Sequence, residues 1–325
     1  MQKVIKIDNL VIVVLDNGQA FQKECTPEEW SIIANATSED DVIHIMCPQV
    51  KEAMDEIKSI EELEDRVRKS NYLEWRNDSI YFPIVSELSV PKELAESILD
   101  AEDACDAVRI QTYKNFWILM SLNPDEKCRQ NLYWFLQKNG LVIEKHGFFV
   151  AYRNVDRTSE EGVYTDHHSH RFRIKIGEMV TMDRLKCDSN QDVTCSSGLH
   201  LGASTWLKHN YFGTVGLTCL CNPAEVVAVP HLDYYGKLRT CAYLPIDFCK
   251  FDENGDVIPY DVKDGFDCEY VPKVIYEGLT ATESTNTYKF VIPEIPGIKK
   301  DTITDSLLEI AKNCIIDRNI LHDSE

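Results

Sequence analysis

The sequence predicts an α+β protein: a helix-rich N-terminal half carrying a β-hairpin, then a mostly antiparallel, β-rich C-terminal half. Up to Gly140, apolar residues in the longer segments recur at three- and four-residue steps, and after it they group into short strand-sized runs. The longest apolar run, Leu10–Leu15, is also strand-sized, so no transmembrane helix is expected. We expect four segments: an N-terminal hairpin with helices (1–70), a helical region (71–140), a β-rich core (141–252) and a C-terminal extension (253–325).

The first segment begins with two apolar strands that flank "IDN", and "DNG" supplies a second turn. Thr26 and Pro27 have the residue types of an N-cap and a first helical position. The charged stretch that follows should be a helix, because its apolar residues form one stripe. The stripe residues are Ala53, Ile57, Ile60, Leu63 and Val67.

Four elements follow before the change of pattern. A short strand, "DSIYFP", precedes the helices "PKELAESILDAEDA" and "DAVRIQTYKNFWILMSL". The next helix opens at Pro124 and Asp125 and closes at Gly140, and it places Leu132, Phe135 and Leu136 on one face.

The β-rich core starts with a hairpin, "LVIEKHGFFVAYRNV", whose turn is "EKHG". Further strands are predicted in "RIKIGEMVTMDRL", "TVGLTCLC", "EVVAVP" and "KLRTCAYLPI". The extension holds one amphipathic helix, "TDSLLEIAKNCIIDRNI".

Charge and cysteine usage exclude some functions. A net charge of -20 repels phosphate backbones, so non-specific nucleic-acid binding is not expected, although a local basic pocket for a small anion stays open. The N-terminus lacks a signal-peptide pattern, and the twelve cysteines include no C-x-x-C pair. We therefore interpret them as thiols in a reducing compartment.

Several strings of the β-rich half occur together in one known family. They are "LYWFLQKNGLVIEKHG", "GFFVAYRNV", "DHHSH", "TCSSGLHLGAS" and "AEVVAVPHLDYYGKLRTCAY". In this order they resemble the rIIB (rapid-lysis, or lysis-inhibition, protein B) family of tailed bacteriophages, over about residues 72–247. The resemblance implies an early regulatory protein that influences lysis timing and host exclusion through protein partners. It implies a rIIA-like phage protein as partner, and a location in the host cytoplasm or peripheral to the inner membrane through that partner. It implies no particular reaction, and enzymatic activity is left undecided.

Eleven positions in these strings form the candidate pocket: Tyr152, Arg153, Asp166, His168, Ser169, Cys195, Gly198, His200, Lys237, Arg239 and Cys241. Asp233 also lies in these strings but is not part of the candidate pocket. The first of three interpretations is structural, with Gly198 at a sharp turn, Cys195 and Cys241 as small buried thiols, and Arg239 neutralising a carboxylate.

The second interpretation is a zinc-stabilised interaction module. Zinc accepts two thiolates and two imidazoles in a tetrahedron. The four candidate ligands are His168, Cys195, His200 and Cys241. The sequence leaves any other cofactor unknown.

The third interpretation is a nucleotide-binding or ADP-ribosyltransferase-like enzyme. "GLHLGASTWLKHNYF" followed by "GTVGLTCLC" is similar to the strand, helix and strand of that fold. In that case Arg153 and Arg239 would bind phosphate, because guanidinium groups suit it. No convincing glutamate stands on a late strand as the catalytic acid.

Two finer predictions concern histidines. In "DHHSH" we expect His167 and His170 to be exposed and His168 to point inward, with Asp166 on the same side if the segment is extended. We also expect His200 and Arg239 to share one site, which would lower the pKa of His200 and keep it neutral near pH 7.

Overall fold

A computed structural model describes residues 3–15, 18–35, 48–83, 85–209, 215–230 and 236–261. The chain divides into two compact units, Met1–Lys69 and Ser70–Glu325. Among the helices in these ranges, none combines the length and the apolarity needed to cross a bilayer. The helix predicted at 304–320 lies outside the described residues, and the finer division at residues 140 and 252 stays a prediction.

The first unit is a three-stranded antiparallel sheet with two helices. Its strands β1 (Lys3–Ile7), β2 (Leu10–Val14) and β3 (Ala20–Glu24) are in sequential order, so the predicted hairpin is confirmed and gains a third strand after "DNG". The helices are α1 (Pro27–Asn35) and α2 (Pro48–Lys69).

The N-terminus of α1 is capped as the sequence indicated. Thr26 Oγ1 accepts from the Glu29 N–H at 3.3 Å, and the Glu29 carboxylate accepts from the Thr26 N–H at 3.0 Å, which is a capping box. In α2 the apolar stripe is only partly correct. Leu63 and Val67 are buried, whereas Ile60 is 42% exposed.

The second unit begins with a small antiparallel sheet and three helices. The sheet contains β4 (Glu74–Arg76), β5 (Ser79–Phe82) and β6 (Val85–Ser89), and the helices are α3 (Lys92–Asp103), α4 (Ala107–Ser121) and α5 (Glu126–Lys138). Asp125 caps α5 by accepting from the Cys128 N–H at 2.9 Å. Gly140 follows the helix with a φ of +62°. Leu132, Phe135 and Leu136 of α5 are all buried, as predicted.

An eight-stranded sheet follows in this unit, and every pairing described in it is antiparallel. The strands are β7 (Phe149–Arg157), β8 (Tyr164–Thr165), β9 (Val180–Thr181), β10 (Leu199–Gly202), β11 (Val215–Cys221), β12 (Val226–Ala228), β13 (Lys237–Thr240) and β14 (Ala242–Phe248). Their order is β12-β13-β10-β7-β11-β14-β9, and β8 pairs with β7. One short helix, α6 (Ser204–His209), connects towards β11. The predicted α+β class is confirmed.

Two predicted strands are wrong in extent. "KLRTCAYLPI" is not one strand, because β13 pairs with β10 and β12 whereas β14 pairs with β11 and β9. Cys241 lies at the break, where its N–H donates to the Glu225 carbonyl at 2.9 Å. In "RIKIGEMVTMDRL" only Val180–Thr181 is a strand, because a turn at Gly177, with a φ of +81°, interrupts the run.

Candidate functional site

A cavity of about 140 Å³ lies where the central strands β13, β10 and β7 meet α6. Its lining residues come from these elements and from two loops. They are Arg153, Asn154, His167, His168, Cys195, His200, Trp206 and Lys237. Five of the eleven predicted pocket residues therefore line one cavity: Arg153, His168, Cys195, His200 and Lys237.

Arg153 is the buried cation of this pocket. Its side chain on β7 is 8% exposed, and its guanidinium donates to the His200 carbonyl at 2.8 Å and lies 5.3 Å from the Tyr243 ring centroid. Arg153 Nε is buried and has no hydrogen-bond partner among the described residues. None of the eight lining residues is a carboxylate, so the pocket is locally positive in an acidic protein.

His200 on β10 is neutral at physiological pH. Burial, followed by the charges of Lys237, Arg153 and Arg239, lowers the pKa of the imidazole to about 3. The lowered pKa of His200 agrees with the prediction, although burial lowers it more than the charge of Arg239 does. Within the described part of the chain, His200 Nε2 is buried and unpartnered. The ring can therefore give or accept a hydrogen bond without carrying charge.

Trp206, four residues after Gly202 of β10, was not predicted as a pocket residue. A Cβ added to Gly202 would lie 2.6 Å from the Trp206 ring, so only glycine lets the indole pack against β10. Asn154 Nδ2 donates to the Leu207 carbonyl at 3.1 Å and ties α6 to β7. The glycine and the aromatic residue four positions apart in "GASTW" were the available signal.

Arg239 does not line the pocket, which corrects the shared-ligand prediction. It lies opposite His200 in the β10–β13 register, but its side chain is fully buried. The guanidinium donates to three backbone carbonyls of the 188–193 loop: Asp188 at 2.9 Å, Val193 at 2.5 Å, and Asn190. All three contacts come from residues 46 to 51 positions away, so Arg239 organises this loop rather than a ligand.

Gly198 packs against Arg239 and also has a structural role. Its φ is +145°, a conformation that L side chains rarely adopt. A Cβ there would lie 3.3 Å from Arg239 Cδ. The predicted turn at Gly198 therefore lets the chain pass close to the buried arginine.

Of the four predicted zinc ligands, His168, Cys195 and His200 line the pocket, but the four do not form a metal site. Cys241 lies outside the pocket lining, and its thiol donates to the Glu225 carboxylate at 2.7 Å. Burial raises the pKa of both groups. Cys195 is exposed, not buried as the structural interpretation expected. Across the described ranges, no three His, Cys, Asp or Glu side chains are placed to hold a metal ion.

The "DHHSH" segment differs from its prediction because residues 167–169 form a turn, to which the alternation of an extended strand does not apply. His168 is exposed at the pocket, and His167 is half-buried with Nδ1 2.9 Å from an Asp156 carboxylate oxygen. His170 is exposed, as expected.

The Asp166 carboxylate holds this turn in place. It accepts from the backbone N–H groups of Ser169, Arg171 and Phe172 at 2.7 to 3.1 Å. Burial opposes ionisation, but these hydrogen bonds and the nearby Arg153 charge lower the pKa of Asp166 to about 2. Tyr152 also has a structural contact, because its hydroxyl accepts from the Tyr260 N–H at 3.2 Å. Neither residue lines the pocket, nor does Ser169.

The strand, helix and strand expected for an ADP-ribosyltransferase-like fold are present as β10, α6 and β11. The late strands β13 and β14 contain no glutamate. The arrangement therefore supports a ligand pocket beside β7 and β10 more directly than it supports transfer chemistry.

Comparison with known proteins gives a consistent result. Residues 81–258 match the family model described as bacteriophage T4 protein rIIB. The chain is also 30% identical over 152 residues to protein rIIB of Enterobacteria phage T4, a match that covers 46% of each protein. The aligned part thus spans about half the length of this curated relative. No solved structure matches the chain.

Proposed function

Because this chain belongs to the bacteriophage T4 rIIB family, we propose that it is a phage regulatory protein that influences lysis timing and host exclusion through protein partners. The match over residues 81–258 carries this proposal, since it includes the whole eight-stranded sheet and the helices α4 and α5. A rIIA-like phage protein is the expected partner. The expected location is the host cytoplasm, or the inner membrane surface when that partner is bound.

Several contacts in the sheet favour a scaffold over a reaction centre. Arg239, Asp166 and Cys241 are buried polar groups, and each is bonded to the protein itself. Buried polar groups with complete partners stabilise one specific fold. A chain with this construction is suited to presenting a fixed surface to a partner.

The regulatory proposal is tested by deleting the gene from its phage and supplying it again from a plasmid. We expect the deletion to change the time of lysis, or plating on an exclusion host, and the complete chain to restore both. A plasmid carrying the gene with an early stop codon is the matched control that produces no chain. Unchanged lysis and plating after deletion would refute the proposed role.

The partner is tested separately by affinity purification of tagged chain from infected cells. We expect a rIIA-like protein of the same phage to co-purify, and both to sediment with inner membrane only when that protein is present. If the tagged chain complements the deletion but the rIIA-like protein never co-purifies, the regulator stands and this partner is wrong.

ADP-ribosyl transfer is the second candidate activity, favoured by the β10–α6–β11 order and the adjacent pocket. Incubation of infected-cell extract with labelled NAD and purified chain tests it. Label transferred to protein or nucleic acid, and lost with Arg153→Lys, would support transfer. If the folded chain transfers no label, ADP-ribosyl transfer is refuted as its activity.

A further inference from the structure

We propose that the pocket between β7, β10, β13 and α6 binds the phosphate group of a small ligand. Arg153 and Lys237 supply the positive charge, His200 an uncharged hydrogen bond, and Trp206 a flat surface that suits the base of a mononucleotide. The inference depends neither on the regulatory role nor on transfer chemistry, since it concerns binding alone.

Charge is the first argument. The whole chain carries a net charge of -20, so its average field repels anions. The pocket lining differs from this average, because Arg153 and Lys237 line it and none of the eight lining residues is acidic. A buried guanidinium and an ammonium group are the donors that proteins use for phosphate.

Two nitrogens at the pocket have no hydrogen-bond partner among the described residues. Arg153 Nε and His200 Nε2 are buried, and no described residue accepts or donates a hydrogen bond to either. A buried polar atom left in this state destabilises the folded protein. Both side chains line the same cavity. With its proton on Nε2, the neutral His200 ring donates, so the acceptor oxygens of a bound phosphate would supply the missing partners.

The size and shape of the cavity limit what it can bind. A cavity of about 140 Å³ is smaller than the roughly 300–1,000 Å³ typical of sites for drug-sized ligands. It therefore suits a phosphate group better than a whole nucleotide. Trp206 is half-buried, packs one face of its ring on Gly202 and lines the pocket. A base outside the cavity can stack on the indole, an interaction that tolerates any base.

Calorimetric titration of the full chain with inorganic phosphate, AMP and adenosine tests the site. We expect phosphate to bind, AMP to bind more tightly, and adenosine to bind most weakly. Lys237→Gln should weaken AMP binding by about 10- to 100-fold, the range for one charge-assisted hydrogen bond. Lys208→Gln is the matched control, because this lysine of α6 pairs with Asp256 instead and should leave binding unchanged.

Alkylation gives a second readout that needs no variant. Cys195 is exposed and lines the pocket, whereas Cys105 is exposed and lies outside it. Saturating AMP should slow the reaction of iodoacetamide with Cys195 several-fold and leave Cys105 unchanged. Peptide mass spectrometry measures both rates in one sample.

The outcomes separate the parts of the proposal. Failure of folded wild-type chain to bind either phosphate or AMP overturns it, as does AMP binding that Lys208→Gln weakens as much as Lys237→Gln. Arg153→Lys should also weaken AMP binding. If that variant does not fold, the result for Lys237→Gln alone tests the site. Equal affinity for phosphate and AMP, unchanged by Trp206→Leu, would overturn the nucleotide assignment and support a site for phosphate itself.

Discussion

Replacing Arg239 by methionine tests whether this arginine is structural. The side chain is fully buried, and its guanidinium is bonded to the carbonyls of Asp188, Asn190 and Val193. Methionine keeps most of the aliphatic stem but removes every donor. The 188–193 loop then loses the donors that hold these three carbonyls.

The magnitude follows from two opposing contributions. Hydrogen bonds from a charged donor contribute about 1.5–3 kcal/mol each, so three contribute more than about 4 kcal/mol. Burying the guanidinium costs several kcal/mol, and methionine recovers part of that cost. Burial also lowers the pKa of Arg239, because the same loss of hydration disfavours its charged form. We expect a net loss of about 2–3 kcal/mol in the free energy of unfolding.

Urea unfolding of the second unit within the full chain measures the loss, and hydrogen exchange locates it. The amides of 188–193 should lose protection before those of β7 and β11. Arg171→Met is the control, because that arginine is exposed and its loss should change stability by less than about 0.5 kcal/mol. An Arg239→Met protein as stable as wild type, with the loop still protected, would show that the three contacts do not stabilise the fold.

Three further outcomes are expected. Gly198→Ala should destabilise the protein by about 1–3 kcal/mol in urea, because it forces a side chain into a positive φ and against Arg239; an unchanged midpoint would contradict this. The pKa of His200 is about 3 in the folded protein and about 6.5 in the unfolded chain. The unfolded state therefore takes up the proton first, and stability should fall as the pH drops from about 6.5 towards 3. His200→Asn should flatten this dependence of stability on pH, and an unchanged slope would refute the role of His200. Iodoacetamide should modify exposed Cys195 well before Cys241, whose thiol is buried and has a raised pKa; equal rates in folded protein would be inconsistent with the structure.

Local features were predictable from the sequence, and site membership was predictable only in part. The motif strings identified Arg153, His200 and Lys237, which do line one cavity. The same strings also identified Arg239 and Cys241, which bond elsewhere. Short motifs show which residues occur together, but they do not distinguish an arginine that faces a cavity from one that faces a loop.

The α+β class, Thr26 as the N-cap of α1, the opening of α5 at Asp125 and its end at Gly140 could all be predicted from the sequence. These features depend on neighbours within a few residues, so the pattern contains them completely. The division of "KLRTCAYLPI" into β13 and β14 depends on long-range pairing, because the partners of these strands lie far away in the chain. Long-range contacts also distinguish the two arginines. Arg239 bonds a loop 46 to 51 residues distant, whereas Arg153 has a nitrogen beside the pocket to which no described residue bonds. The free energy of a buried charge depends on which distant groups surround it, and no local pattern specifies those groups.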